Sequence, residues 1–362
     1  MTVLFIGKRF YTNRDALRDR FGRIYQIPKY WADSGIPTQL WLLDYHSRQT
    51  IRETHDDLHI VSTPLRQLSW LGQWVRCASS GRADKRTTIV VASGDCYIGF
   101  LGYLIARKLK VRFVFDVYDK YDEFGGYKHI PRFDLFAFLL READQRLFAS
   151  RALMQSVSHG KGCDLVVPNG VNLSSFRGGA VEHSRDALGL SRNAMYVGYF
   201  GSMDSERGVQ DLMAAVKMLR SSGTDVQLLL GGPPHRDFDP DQDGVCYMGN
   251  LPFDHIPLAL ASCDILALPY RRSTYLDMAS SCKIAEYLAC DRPIVATRTP
   301  NFIDNFPEQA SELLNFLAEP NCPASLAEAI EKQLAEKVIA TFPSYLTWQG
   351  IAEKTMEKLA LR

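Results

Sequence analysis

The sequence predicts an α/β protein built from two parallel-sheet domains in tandem. Short β-branched or apolar runs alternate with helical patterns along nearly the whole chain, the signature of layered α/β folds. A polar, glycine-containing passage, VNLSSFRGGAVEHSRDALGLSRNA, breaks the alternation near the middle, and the pattern restarts after it. The length of 362 residues, 46% of them hydrophobic, is long for one core and comfortable for two.

The first half offers strand candidates VLFI (3–6), TQLWLL (38–43), LHIVS (58–62), TIVVAS (88–93), VRFVFD (111–116), LMQSVS (153–158) and LVVP (165–168). Helical stretches separate most of them, including Tyr97–Leu109 and Leu135–Phe148. The second half continues with MYVGYFG (195–201), VQLLLGG (226–232), VCYMG (245–249), DILALP (264–269) and RPIVAT (292–297), with helices between. The tail, YLTWQGIAEKTMEKLALR, is an amphipathic helix that sets Trp348, Ile351, Ala352, Met356 and Leu359 on or near one face, suited to closing either domain. No solenoid period or low-complexity segment interrupts this order.

Composition removes several classes. No window of about 18 uncharged apolar residues occurs, so a soluble protein is expected. The start, MTVLFIGKRFYTN, reads as a first strand and not a signal peptide, which makes the cytoplasm the expected compartment. Eight scattered cysteines, none in a C-x-x-C pair or at zinc spacing, read as reduced thiols that mostly fill the core. Net charge is only +1 but unevenly divided. Residues 1–172 hold 25 Lys and Arg against 17 Asp and Glu, a net +8; residues 173–362 hold 17 against 24, a net −7. A basic first half suits an anionic partner, such as a phospholipid surface or a diphosphate-linked acceptor; incidental surface variation is the alternative. The motifs of P-loop kinases, α/β hydrolases, zincins and ordinary dinucleotide enzymes are all absent.

Four stretches carry candidate chemistry. In VGYFGSMDSERGVQDLMAAVKML, Gly201 ends a buried strand and a helix opens at Gly208 or Val209, an arrangement that admits a phosphate; Arg207 adds a bidentate cation. In SSCKIAEYLACDRPIVAT, Ser280 or Ser281 caps a helix with Lys283 in its first turn and Glu286 one turn on. A cation at a helix N-terminus is unfavourable to the dipole unless an anion compensates, and Glu286 suits vicinal hydroxyls, so the pair describes phosphate beside ribose. A surface Lys283–Glu286 ion pair is the alternative. In FVFDVYDKYDEFGGYKH, Asp116, Asp119, Asp122 and Glu123 cluster at a strand end; Asp116 and Asp119 are the better candidates for proton abstraction, and Asp122 and Glu123 read equally as a solvated turn. The loop after the first strand collects Lys8, Arg9, Arg14, Arg18, Arg20 and Arg23 around Gly22, suited to phosphate or an anionic acceptor, with Arg14 and Arg18 reading as a solvated basic helix.

Taken in order, VVPNGVNLSSF (166–176), the segment at 196–216, GNLPFDHIPLALASCDILALPY (249–270) and CKIAEYLACDRPIVAT (282–297) resemble the GT-B glycosyltransferases, and in particular the nucleotide-sugar-dependent family 4. FVFDVYD (113–119) and the Trp-containing last helix look like their counterparts, so the resemblance spans the chain. It implies two Rossmann-like domains with a cleft between them: an acceptor-binding domain at 1–172, a donor-binding domain at 173–345, and a final helix, 346–362, returning to the first. It implies that Glu286 holds the donor ribose and that Arg207 stands where the family's phosphate-loop lysine does. Ser202 replaces an arginine that often follows the loop glycine, and Met278 replaces the first glutamate of the family's paired motif. YLDMASSCKIAEY is similar to a variant of some bacterial polysaccharide enzymes in which a lysine at the place of Lys283 neutralises the diphosphate. Gly201, Ser281, Ile284, Gly231, Gly249 and Leu251 complete the implied donor set, the last three around the nucleobase, with Gly232 beside them; Arg20, Gly22 and Arg23 form the implied acceptor or phosphate loop.

The resemblance further implies transfer from a UDP-sugar, in preference to a GDP-sugar, onto a glycan or lipid-linked acceptor in cell-surface polysaccharide or glycoconjugate synthesis. Retention is the expected course. DVYD stands where D-x-H-D is frequent, so Tyr118 replaces a histidine and Asp119 would be the base of an inverting alternative. Epimerisation of a nucleotide sugar and a non-catalytic partner role are further alternatives. No metal or other cofactor is expected to be essential, no nucleic acid is expected to bind, and the basic first domain suits peripheral contact with the inner leaflet.

Overall fold

The computed structural model describes residues 2–11, 14–67, 69–79, 87–123, 127–128, 131–157, 164–236 and 238–361. The chain divides into two compact units, Met1–Gly170 with Tyr345–Arg362, and Val171–Ser344.

Unit 1 runs β1 (Thr2–Lys8), β2 (Phe10–Tyr11), β3 (Arg14–Asp15), α1 (Arg23–Asp33), β4 (Thr38–Asp44), β5 (Ile51–His55), β6 (Leu58–Pro64), α2 (Ser69–Ser79), β7 (Thr87–Ser93), α3 (Cys96–Leu109), β8 (Arg112–Val117), α4 (Leu135–Glu142), β9 (Gln145–Phe148), α5 (Arg151–Val157) and β10 (Asp164–Val166). Eight strands form one sheet in the order β10-β9-β8-β7-β1-β4-β6-β5. Only β5 is antiparallel, pairing with β6. Parallel strands are covered on both faces, and accordingly Val3–Ile6 and Ile89–Ala92 are buried without alternation. The Asp95 side chain caps α3 by accepting from the Ile98 N–H at 2.9 Å, and Lys110 ends it in the left-handed conformation, φ 56°.

Unit 1 corrects two sequence expectations and adds a strand. The strand expected at 153–158 is helix α5: Leu153 and Val157 bury one turn apart, and Ser150 Oγ accepts from the Leu153 N–H at 3.0 Å to start it. Ser158 lies outside the described residues, as does Cys163. The helix expected to reach Phe148 ends at Glu142, because Asp144 accepts from the Phe113 N–H at 2.8 Å and turns β9 into register with β8. Strand β5 is additional to the expected strands; its half-exposed, polar IRETH pairs with β6 through a two-residue turn in which Asp56 is left-handed, φ 51°.

Unit 2 runs α6 (Leu173–Phe176), α7 (Val181–Ala187), β11 (Met195–Phe200), α8 (Val209–Ser221), β12 (Val226–Gly231), β13 (Val245–Tyr247), α9 (Ile256–Ala261), β14 (Ile265–Leu268), α10 (Thr274–Met278), α11 (Cys282–Ala289), β15 (Ile294–Thr297), α12 (Pro300–Ile303), α13 (Pro307–Glu312), β16 (Leu317–Ala318) and α14 (Pro323–Glu336). Its six parallel strands lie in the order β13-β12-β11-β14-β15-β16. The chain therefore moves outward from β11 in one direction and resumes on its other side at β14. Such a reversal opens a crevice beyond the carboxyl ends of the two strands.

The last helix, α15 (Trp348–Lys358), packs on α1 within unit 1. Trp348, Ile351, Met356 and Leu359 share the core of Trp31, whose indole N–H reaches Thr355 Oγ1 at 3.1 Å. No helix among the described residues is long and apolar enough to cross a membrane.

Candidate functional site

In unit 2, glycines stand at the carboxyl ends of β11 and its neighbour β12. The Gly201 N–H donates to Gly231 O at 2.7 Å, and the Gly232 N–H donates to Gly249 O at 2.7 Å. A side chain at 201 has no room: a Cβ there would stand 2.1 Å from Lys283 Cε and 2.4 Å from Nζ, and φ is +141°. Lys283, in the first turn of α11, therefore lies across Gly201, and its ammonium sits 5.7 Å from the centre of the Tyr199 ring. Gly232, φ +123°, is equally confined, since its Cβ would meet Gly201 O at 2.3 Å. Leu251 leans on Gly231, and open space surrounds Gly249, φ +71°.

Arg207 approaches from the loop before α8. Its guanidinium lies 5.4 Å from the centre of the Tyr270 ring, its Nε is 3.6 Å from Asp204, and that Nε is buried without a hydrogen-bond partner among the described residues. Burial lowers the arginine's pKa, but Tyr270, Tyr199 and Asp204 outweigh burial and hold it above its ordinary value. The α8 start is built on Gly208, where a Cβ would strike Pro269 O at 1.8 Å, and neither α8 nor α11 opens on a side-chain cap. Ser281 Oγ bonds the Tyr270 hydroxyl at 3.0 Å instead of capping α11.

The phenols that fix this edge were not singled out in the sequence. Tyr199 donates to Ser202 O at 2.8 Å, and the Tyr287 hydroxyl accepts from the Phe200 N–H at 3.1 Å. Burial pushes the pKa of both well up, so they remain neutral. Arg271 clamps Asp211 with two bonds of 2.7 Å, fastening the loop after β14 to α8. Tyrosines at the ends of apolar strands, as in VGYFG and ALPY, were the available signal. Ser202 turns its hydroxyl to Asp204 at 3.0 Å. The Ile284 side chain is fully buried in the core, which corrects its assignment to donor contact except through its backbone. Glu286 is half-buried, three residues beyond Lys283 on α11, and Met278 ends α10.

In unit 1 the expected cluster resolves differently. Asp116 and Arg23 are both completely buried and paired, at 2.5 Å and 3.1 Å, with Ser93 Oγ donating to the same carboxylate at 2.6 Å and Arg23 also reaching Val167 O at 2.6 Å. Burial opposes the guanidinium's charge, but Asp116 and its hydrogen bonds raise the pKa of Arg23. These contacts correct two expectations: Asp116 is not placed to take a proton from a substrate, and Arg23 is not placed to hold a phosphate. Gly22, φ +73°, opens α1, and Arg20 is exposed, with its carbonyl accepting from Gln26.

Asp119 is buried and accepts the Tyr11 hydroxyl. Burial, then the Asp119 charge, hold the pKa of Tyr11 well up. The Tyr11 ring stacks on Tyr118 with centres 4.5 Å apart, and Asn169 donates to the Tyr118 hydroxyl at 3.2 Å. Tyr121 fixes the turn: its hydroxyl accepts from the Gly94 and Tyr118 N–H groups and donates to Asp116 O, each at 3.0 Å. A small pocket beside these rings is lined by Tyr11, Arg14, Phe21, Gly22 and Tyr118.

Two outcomes test this geometry. Arg23→Met leaves Asp116 buried without its cation and is expected to lower stability by about 3–5 kcal/mol in urea unfolding, while adding Asp116→Asn recovers most of the loss. Gly201→Ala is expected to cost about 1–3 kcal/mol, and less in a Lys283→Ala background, because the methyl then meets no lysine. Equal losses in both backgrounds contradict the placement of Lys283.

Residues 194–336 match the family model of glycosyl transferases group 1. No curated protein matches the chain. Among solved structures, HepE from Anabaena in complex with UDP is 16% identical, with a TM-score of 0.68 over 99% of this chain and 100% of that one. A glycosyltransferase from Rickettsia africae is 15% identical, with a TM-score of 0.70 over 99% and 98%. A trehalose-phosphate synthase (UDP-forming) from Burkholderia xenovorans in complex with glucose-6-phosphate is 12% identical, with a TM-score of 0.63 over 99% and 100%. At these identities the structural likeness is one of fold, and the family match lies within unit 2. The fold is that of the GT-B glycosyltransferase structures, and residues 194–336, within unit 2, carry the group 1 sequence pattern.

Proposed function

We propose that the protein transfers a sugar from a UDP-sugar to a glycan or lipid-linked acceptor, with retention, at the cytoplasmic face of a membrane. The observation that carries this reading is the Lys283 ammonium lying across Gly201 beside the half-buried Arg207. Two cations at the carboxyl edge of a parallel sheet, next to two uncapped helix starts, form a socket for a diphosphate. As the bond from sugar to phosphate breaks, negative charge builds on the β-phosphate, and Lys283 and Arg207 stabilise it. Glu286 accepts the ribose hydroxyls, and backbone groups around Gly231, Gly249 and Leu251 hold the base. With two side-chain cations in place, the reading needs no divalent metal. The choice of UDP is supported by the HepE structures with UDP and with UDP-glucose. The acceptor class and the membrane are supported by the net +8 of residues 1–172. Retention rests on the family resemblance, with the departing diphosphate assisting removal of the acceptor proton.

An inverting course is the second reading, favoured by the placement of Asp119, which the Tyr11 hydroxyl holds at the carboxyl end of β8. Asp119 would then take the acceptor proton itself.

Thermal unfolding tests the donor site. UDP at about a hundred times its dissociation constant should stabilise the wild type by about 2.7 kcal/mol without metal. Lys283→Ala and Glu286→Ala should each weaken UDP at least about tenfold. Stabilisation by GDP and not UDP overturns the choice of base, and stabilisation by neither overturns the site. Asp119→Asn should leave UDP binding unchanged; a fall in transfer of about a hundredfold or more selects inversion, and a change within about tenfold selects retention.

A further inference from the structure

Helices α2, α3 and α4 cover one face of the unit 1 sheet, through β6, β7 and β8. Their outward surface is unusual for a sheet-covering layer. Of the twelve large apolar side chains exposed among the described residues, six belong to it: Leu71, Val75, Tyr97, Phe100, Leu104 and Phe133. On α3, Tyr97, Phe100 and Leu104 follow at three and four residues, so they form a stripe along the exposed side of that helix. The stripe is continuous with α4, because Phe138 lies 6.3 Å from Phe100 and 5.4 Å from Phe133, ring centre to ring centre.

The charge along α2 and α3 has one sign. Residues 65–79 and 96–111 contain Arg66, Arg76, Arg107, Lys108 and Lys110, all exposed, and no Asp or Glu. The α4 side adds two acids: Glu142 is held by Arg107 at 3.1 Å and Arg141 at 3.2 Å, and Asp134, exposed beside Phe133, caps α4 by accepting from the Ala137 N–H at 3.0 Å. The guanidinium groups of Arg107 and Arg141 also lie over Tyr103 and Phe138, at 5.1 Å and 5.4 Å from the ring centres, so both cations border the apolar stripe.

We propose that the α2–α3–α4 surface docks on the headgroup layer of an anionic bilayer. Apolar side chains enter the boundary between headgroups and acyl chains, and the five cations meet lipid phosphates. An acidic protein partner would suit the charges as well, but the cations border an apolar stripe suited to the acyl boundary, and the two carboxylates beside it, Asp134 and Glu142, are already bonded within the protein. This inference rests on the reading above in which unit 1 meets an anionic membrane, and it names the surface that does so.

The test is co-sedimentation of the full chain with vesicles of phosphatidylcholine alone and of an equal mixture with phosphatidylglycerol. The wild type should pellet with the mixed vesicles, leave them as salt is raised, and ignore the neutral ones. Leu104→Glu, Val75→Glu and the pair Arg76→Glu with Lys108→Glu should each lower binding at least about tenfold without lowering the unfolding temperature. The charge pair keeps the test decisive if an apolar variant unfolds. Wild type that stays in solution, pellets equally with both vesicles, or pellets no better than its variants overturns the proposal. A wild type that is dimeric in solution and monomeric as Leu104→Glu overturns it in favour of self-association. The UDP shift, measured on the same samples, separates the two readings: UDP stabilisation without vesicle binding sinks the surface alone, and vesicle binding without UDP stabilisation sinks the donor reading alone.

Discussion

The candidate site of unit 2 depends on the absence of one methyl group. Three features converge on Gly201: the stem and ammonium of Lys283 from above, the carbonyl contact that forbids a side chain at Gly232, and the turn that Tyr199 fixes through Ser202 O. Any Cβ at 201 would displace the lysine, and any Cβ at 232 would strike Gly201 itself. The sheet reversal puts β11 and β14 side by side, and these glycines let the chains that leave the strands approach closely enough for α8 and α11 to aim their starts at one spot. Gly208 against Pro269 O is the same device at the second helix.

Unit 1 is organised by a buried ion pair. Taking Arg23 and Asp116 out of water costs several kcal/mol per ion, and direct attraction offsets this only when the remaining donors and acceptors are used. They are: Ser93, Val167 O and the second guanidinium nitrogen complete the set. The pair ties the start of α1 to the end of β8 and to the segment after β10. It also leaves Asp119, three residues beyond Asp116, as the carboxylate that the turn around Tyr121 presents with Tyr11 and Tyr118.

Much of the fold was legible because parallel strands are buried on both faces and therefore read as apolar runs; β1, β4, β6, β7, β11, β12 and β14 all announce themselves in this way. What escaped has physical causes. Strand β5 is polar and half-exposed, so it lacks the run, and β9 is four residues fused in sequence to the helix before it. Helix α5 is seven residues, two turns, too short for its period to stand out from a strand. At the site, the glycine at the strand end and the lysine at the helix start are local features, and each is visible in a few letters. The pairing of Arg23 with Asp116 spans 93 residues and leaves no local mark: a charged side chain at a strand end looks the same whether it meets solvent, substrate or another charge. The supporting tyrosines were hidden for the converse reason, since an aromatic residue in an apolar strand reads as core.

The rings beneath the two cations carry a consequence for exchange of ligands. Lys283 rests on Tyr199 and makes no ion pair among the described residues, and Arg207 rests on Tyr270 with Asp204 at a long 3.6 Å. A carboxylate partner would have to be abandoned each time an anion arrived and recaptured each time it left, adding a barrier in both directions. A ring face holds a cation without consuming the donors that an anion needs, so the same contact persists through loading and unloading. If the socket takes a diphosphate as proposed, it would act as an ion exchanger with standing positive charge, the incoming diphosphate swapping places with a small anion from solution.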